Sequence, residues 1–204
     1  GNSILAAYRT AADHLLEDGA TPYQVDEAMR VFGMALGPYQ VLDLAGLDIS
    51  WARRKRLAAT RDPQERYVDI GDRLCEAGHF GRKSGQGYYV YSEDGRTAKP
   101  SGAATRIINE ERARKGIAVR RFSESEIQRR CVLAMVNAGA RLLRQGIASC
   151  PSDIDTVLLH GYGFPRWRGG PMKWADLEGL LQIRNDLTHL AEDDPYFWTP
   201  EPIF

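Results

Sequence analysis

Residues 161–179, Gly161-Tyr162-Gly163-Phe164-Pro165-Arg166-Trp167-Arg168-Gly169-Gly170-Pro171-Met172-Lys173-Trp174-Ala175-Asp176-Leu177-Glu178-Gly179, repeat the grammar of an earlier segment, residues 33–46. Gly37, Pro38, Asp43, Leu44 and Gly46 fall on Gly170, Pro171, Asp176, Leu177 and Gly179 at one constant offset, so Gly-Pro-x4-Asp-Leu-x-Gly occurs twice. Upstream, with small gaps, Gly33 matches Gly163, Val25-Asp26 matches Ile154-Asp155, and Leu15-Leu16 before Gly19 matches Leu142-Leu143 before Gly146. The spacing is far above the roughly 20–50 residues of solenoid repeats, which implies duplicated domains. The expectation is an all-α fold of two tandem homologous helical domains: residues 1–91, a connector at 92–122, and a second copy at 123–204.

Local patterns support helices throughout. Ile4, Leu5, Tyr8, Ala11, Ala12, Leu15 and Leu16 recur at helical spacing, predicting a helix over residues 3–18 with Asn2 as N-cap and Gly19 as stop. Thr21-Pro22-Tyr23-Gln24 reads as a capping box with proline in the first turn, ahead of buried Val25, Ala28, Met29 and Phe32. Gly33 ends that helix, and Gly37-Pro38 opens a short one carrying Val41, Leu42 and Leu44 up to Gly46.

A helix at residues 47–57 contains Arg53-Arg54-Lys55-Arg56, four consecutive residues that point in four directions, so a solvated helix is expected rather than a phosphate site. Gly81-Arg82-Lys83-Ser84-Gly85-Gln86-Gly87 has the wrong order for a phosphate loop and leads into Tyr88, Tyr89 and Tyr91, a turn into a short extended piece. The polar connector breaks at Pro100-Ser101-Gly102 and has room for a helix near Ile107 and Ile108. Ile127, Cys131, Ala134, Met135, Ala138 and Leu142 then resume the period; Pro151 opens the next helix, Gly161 stops it, and residues 180–190 form a last one.

In a chain of 204 residues, Lys+Arg 27 balance Asp+Glu 27, which removes any broad attraction to nucleic acid or anionic membrane. Cys75, Cys131 and Cys150, odd in number and far apart, suit reduced thiols rather than a disulfide framework or a metal site. No apolar run approaches the roughly 20 residues of a membrane span, and no signal peptide opens the chain, so an intracellular protein is expected. The first residue is not Met and both ends are apolar, which suggests a fragment of a longer protein.

Residues 33–48, 78–91 and 159–176 strongly resemble the C-terminal half of 3-hydroxyacyl-CoA dehydrogenases, and the match covers nearly the whole chain. It looks most like the multifunctional enzymes of fatty acid β-oxidation, bacterial or peroxisomal, in which this helical domain occurs twice. The resemblance implies NAD-dependent oxidation of a 3-hydroxyacyl-CoA, with a His base and its Glu partner in a nucleotide-binding domain that precedes the helical ones. Neither is found here: no strand leads into Gly-x-Gly-x-x-Gly, and His79-Phe80-Gly81-Arg82 lacks the family's His-Phe-x-x-Pro. The chain alone is therefore expected to be catalytically silent and to bind no NAD itself, with the missing nucleotide-binding domain and an acyl-CoA substrate as its partners.

Two residues can be carried over from the family. Asn2 falls on a Gly-Asn-Arg or Val-Asn-Arg phrase whose Asn lies beside the substrate's 3-oxygen, where an amide N–H stabilises developing charge; here Ser3 replaces the Arg. Its alternative role is the helix N-cap. His160, in Leu-His-Gly-Tyr-Gly, falls where the bacterial branch often has a substrate-contacting Tyr; a helix-terminal His favoured by the dipole is the alternative. His14 and His189 look incidental.

Arg166-Trp167-Arg168 is expected to pack its Trp over a neighbouring helix and leave both arginines wet, while Asp43 and Asp176 brace equivalent turns. The resulting reading is the substrate-side and assembly portion of such a dehydrogenase, able to form a homo-oligomer, with no nucleic-acid partner and no membrane span. A bacterial cytoplasm is preferred, and a peroxisome if the source is eukaryotic. The rival is a non-catalytic helical scaffold, which acyl-CoA binding would distinguish.

Overall fold

The computed structural model describes residues 1–95 and 97–204; Arg96, within the predicted connector, lies outside the described residues. The first apolar stripe forms α1 (Asn2–Asp18), burying Ile4, Tyr8, Ala11, Ala12, Leu15 and Leu16. Asn2 is not its N-cap. Gly1 occupies that position, accepting the Ile4 and Leu5 amides at 3.1 and 3.0 Å through its carbonyl, so the Asn2 side chain is left for another partner.

Thr21 and Gln24 form the expected reciprocal box at the start of α2 (Pro22–Phe32), with bonds of 3.1 and 2.9 Å. After α3 (Pro38–Ala45), Gly46 at φ 96° and ψ 120° closes one helix and opens α4 (Leu47–Leu57). Far along the chain, Gly179 at φ 93° and ψ 123° joins α9 (Pro171–Glu178) to α10 (Leu180–Ala191) in the same conformation. Positive φ is strained for any residue with a Cβ, which accounts for glycine at both junctions.

Between these stretches lie α5 (Ile70–Glu76), strand β1 (Tyr89–Tyr91), strand β2 (Ala98–Pro100) and α6 (Gly102–Lys115). The two strands pair antiparallel, Val90 opposite Lys99, so the fold is mostly helical and not strictly all-α. Asp43, fully buried, holds this hairpin by accepting the Tyr88 and Tyr89 amides at 3.0 and 2.9 Å and the Tyr91 hydroxyl at 3.0 Å. Asp176, at the matching sequence position, is exposed and braces nothing comparable. Among the described residues no hairpin follows the second motif, only α10 and a short helix, so Asp176 has no strand amides to accept.

The long helix α7 (Glu124–Arg144) starts at Ser123, whose hydroxyl accepts the Glu126 amide at 3.2 Å, and packs across both α1 and α2. One continuous core therefore runs from Ile4 to Trp198. α8 (Pro151–Gly161) runs through Gly161 and is capped by Tyr162, one residue later than predicted. A further short helix, α11 (Pro195–Trp198), follows α10, too short to show a periodic pattern; Asp194 caps it by accepting the Phe197 amide at 3.1 Å. The tail beyond it is fastened to α7, with Glu201 between Arg141 at 2.7 Å and Arg144 at 2.6 Å.

Candidate substrate-facing site

The exposed end of α1 meets the turn after α8. Gly1 lies so close to the Tyr162 ring that a Cβ there would fall 2.3 Å from its hydroxyl oxygen. That hydroxyl donates to Asn2 Oδ1 at 2.7 Å. With the amide oxygen occupied, the two N–H donors of Asn2 Nδ2 engage no other described group and are available to an incoming oxygen. The structure thus pairs Asn2 with Tyr162, a residue the sequence reading passed over although it stands in the same Leu-His-Gly-Tyr-Gly phrase as His160. His160 is exposed on the last turn of α8 and forms no hydrogen bond with Asn2.

The turn between Gly163 and Gly170 reverses one expectation. Trp167 is 73% exposed, and Arg168 is the packed residue. Its guanidinium lies 3.9 Å from the Phe32 ring centroid and 4.1 Å from that of Trp167, and its Nε donates to the Phe32 carbonyl at 2.8 Å. The cause lies at the end of α2, where a terminal carbonyl lacks an intrahelical donor and attracts a cation. Phe164 stacks edge-on against Phe32 at 5.7 Å and Pro165 fills the space beside Gly33, so the indole is left outside.

Residues 81–87 are not a phosphate cradle. Arg82–Ser84 form one 3-10 turn, and the Ser84 hydroxyl is used internally, accepting the Phe80 amide at 2.8 Å. Among the described residues, no group of three His, Cys, Asp or Glu side chains is placed to hold a metal, and no helix is long and apolar enough to cross a membrane.

The family profile described as the 3-hydroxyacyl-CoA dehydrogenase, C-terminal domain, matches residues 1–91 and 127–200. The chain belongs to this family. Among its relatives, the peroxisomal bifunctional enzyme of Danio rerio is 42% identical across 100% of this chain, and that of Homo sapiens is 38% identical across 99%. The chain spans only 30% of the length of either relative. Of solved structures, the dehydrogenase part of multifunctional enzyme 1 from C. elegans superposes with a TM-score of 0.76 at 26% identity, covering 96% of this chain and 44% of that one. The 3-hydroxybutyryl-CoA dehydrogenase of Escherichia coli shares the fold, with a TM-score of 0.70 at 20% identity over 98% of this chain and 57% of that one.

Proposed function

We propose that this chain is the substrate-side and assembly portion of an NAD-dependent 3-hydroxyacyl-CoA dehydrogenase of fatty acid β-oxidation. The observation that carries this reading is the family match across both residues 1–91 and 127–200. The same two blocks, with the geometry shared by Gly46 and Gly179, support two tandem domains at 1–91 and 123–204 joined by 92–122. The described residues offer only a two-stranded antiparallel hairpin, whereas a dinucleotide lies against the carboxyl ends of a parallel sheet. NAD, which accepts the hydride from C3, would therefore be held by the nucleotide-binding domain of the longer protein.

Within this chain, Asn2 has the role that the geometry favours. Tyr162 fixes the amide carbonyl, and the Nδ2 donors face a substrate's 3-oxygen and stabilise charge as it develops. The exposure of His160, two residues before Tyr162, supports its reading as a second acyl-CoA contact. The names of the relatives support the peroxisomal alternative for location.

Calorimetric titration tests the reading. The purified chain should bind acetoacetyl-CoA weakly, with the affinity reduced in Asn2→Ala, show no tight binding of NADH and turn over no 3-hydroxyacyl-CoA. Tight NADH binding would place a nucleotide site within this chain and end the proposal. If acetoacetyl-CoA fails to bind a correctly folded chain, the assembly reading remains; it is favoured by Leu177 and Leu181, 71% and 72% exposed on α9 and α10. Sedimentation would then report a homo-oligomer.

A further inference from the structure

A cavity of about 450 Å³ opens between α1, α4 and residues 60–71. Five arginines line it, Arg9, Arg53, Arg54, Arg61 and Arg66, against three acids, Asp13, Asp62 and Glu65. Arg54 is spent on Asp72 at 2.6 Å, and Arg66 on Glu17 at 2.7 Å and Asp18 at 2.6 Å, all three acids outside the lining. Among the described residues, no carboxylate lies within 4.0 Å of the Arg9, Arg53 or Arg61 guanidinium. Three cations without a carboxylate partner therefore share one cavity, Arg61 donating in addition to the Arg54 carbonyl at 3.4 Å.

The surroundings hold them in place. Arg61 stacks 3.4 Å from the centroid of the Tyr67 ring, while Asp72 accepts from both the Tyr67 hydroxyl and Arg54. Of the acids, Asp62 turns back to accept the Gln64 amide at 2.9 Å. The Asp13 carboxyl, which burial pushes up to about 6, accepts from the Tyr39 hydroxyl at 3.4 Å and is still largely ionised near neutral pH, so its opposition to an anion fades only as pH falls through about 6. A second, separate observation is His14: it lines the cavity, is 5% exposed, and neither ring nitrogen forms a hydrogen bond, although the Asp194 carboxylate lies 3.7 Å from Nδ1. A buried polar group without a partner costs stability until a ligand or water satisfies it.

We infer that this cavity binds a phosphate-bearing ligand, with its phosphoryl oxygens on Arg9, Arg53 and Arg61 and its organic part against Tyr67 and Leu47. Guanidinium forks match phosphate oxygens two at a time, and their mutual repulsion falls when an anion enters. The run from Arg53 to Arg56 presents no basic face by itself, as its sequence implies; α1 and the segment after α4 complete the set. Free nucleotides and the phosphorylated end of a CoA thioester share this chemistry.

The test is calorimetry on the 204-residue chain with three probes: inorganic pyrophosphate, adenosine 3′,5′-bisphosphate and CoA. Pyrophosphate should bind, with affinity falling as salt rises. Arg9→Ala and Arg53→Ala should each weaken it at least about tenfold, the scale of one lost charge-assisted contact, while Arg184→Ala on α10, exposed and away from the lining, leaves it unchanged. CoA binding well above the bisphosphate assigns the site to the thioester, and equal binding assigns it to free nucleotides. Should Arg9→Ala not fold, Arg53→Glu, at an exposed position of α4, decides alone. Absence of binding by all three probes, or affinities unmoved by the arginine changes, overturns the inference. It does not depend on the dehydrogenase reading, because pyrophosphate has no 3-oxygen for Asn2 to meet.

Discussion

Asp155 accepts the Met172 amide at 2.8 Å, a remote helix cap that the cap residue itself cannot provide. Its second oxygen takes the Lys173 amide at 3.0 Å. Asp26 repeats the arrangement on α3, accepting the Tyr39 amide at 2.8 Å and the Gln40 amide at 3.0 Å. In both places the N-cap is glycine and the first helical residue is proline, which has no N–H, so the next two amides are the donors left without partners. Glycine is required there because a Cβ would lie 2.3 Å from Asp26 Oδ1 at Gly37 and 2.3 Å from Asp155 Oδ1 at Gly170. The repeated Gly-Pro pair is thus half of a motif whose other half is an aspartate on the preceding helix.

Gly170→Ala should collide with that carboxylate and destabilise the fold by about 3 kcal/mol or more, the range for strained backbone with lost buried hydrogen bonds. Asp155→Ala should cost about 2 kcal/mol through two orphaned amides. Gly163→Ala, at φ 71° with open space around it, should cost only about 1 kcal/mol. Urea denaturation would rank the three; a Gly170→Ala chain as stable as the parent would refute the remote-cap account.

Asp26 should give the stability a pH dependence. Burial pushes its carboxyl up to about 7, against the Tyr89 hydroxyl and the two amides, which pull it down. The unfolded carboxyl titrates near about 4, so between about 4 and 7 the folded state binds a proton that the unfolded state does not. This contribution is therefore complete below the unfolded pKa, declines as pH rises through that window and is flat above it. Asp26→Asn removes the titration: its cost relative to the parent should be smaller at pH 8 than at pH 5, on the order of a few kcal/mol between them at most. A cost independent of pH in paired melts would be inconsistent with this carboxyl titrating in the folded state.

The exchange of roles in the turn after α8 is tested by two substitutions. Arg168→Ala removes the ring contact and the bond to the Phe32 carbonyl and should cost about 1–3 kcal/mol. Trp167→Ala should stay within about 0.5 kcal/mol, as for an exposed surface position. Thermal melts in which Trp167→Ala is the more damaging change would show that the indole, not the guanidinium, secures the turn.

Local pattern was enough for the helices, because apolar period, caps and glycine stops act within a few residues: α1 and α2 follow their stripes, Thr21 and Gln24 pair as read, and α4 has its predicted limits. The family was legible for the same reason, since its phrases are contiguous. The roles of single polar side chains were not. Asp43 and Asp176 look equivalent in sequence, yet only Asp43 meets a hairpin; Asp26 and Asp155 carry the shared function across gaps of different length. Asn2 met Tyr162 rather than serving as a cap, and Arg9, Arg53 and Arg61 met at one cavity from three separate segments. A helix depends on near neighbours, whereas the partner of a buried carboxylate or a guanidinium depends on which distant backbone the packing brings within hydrogen-bond reach.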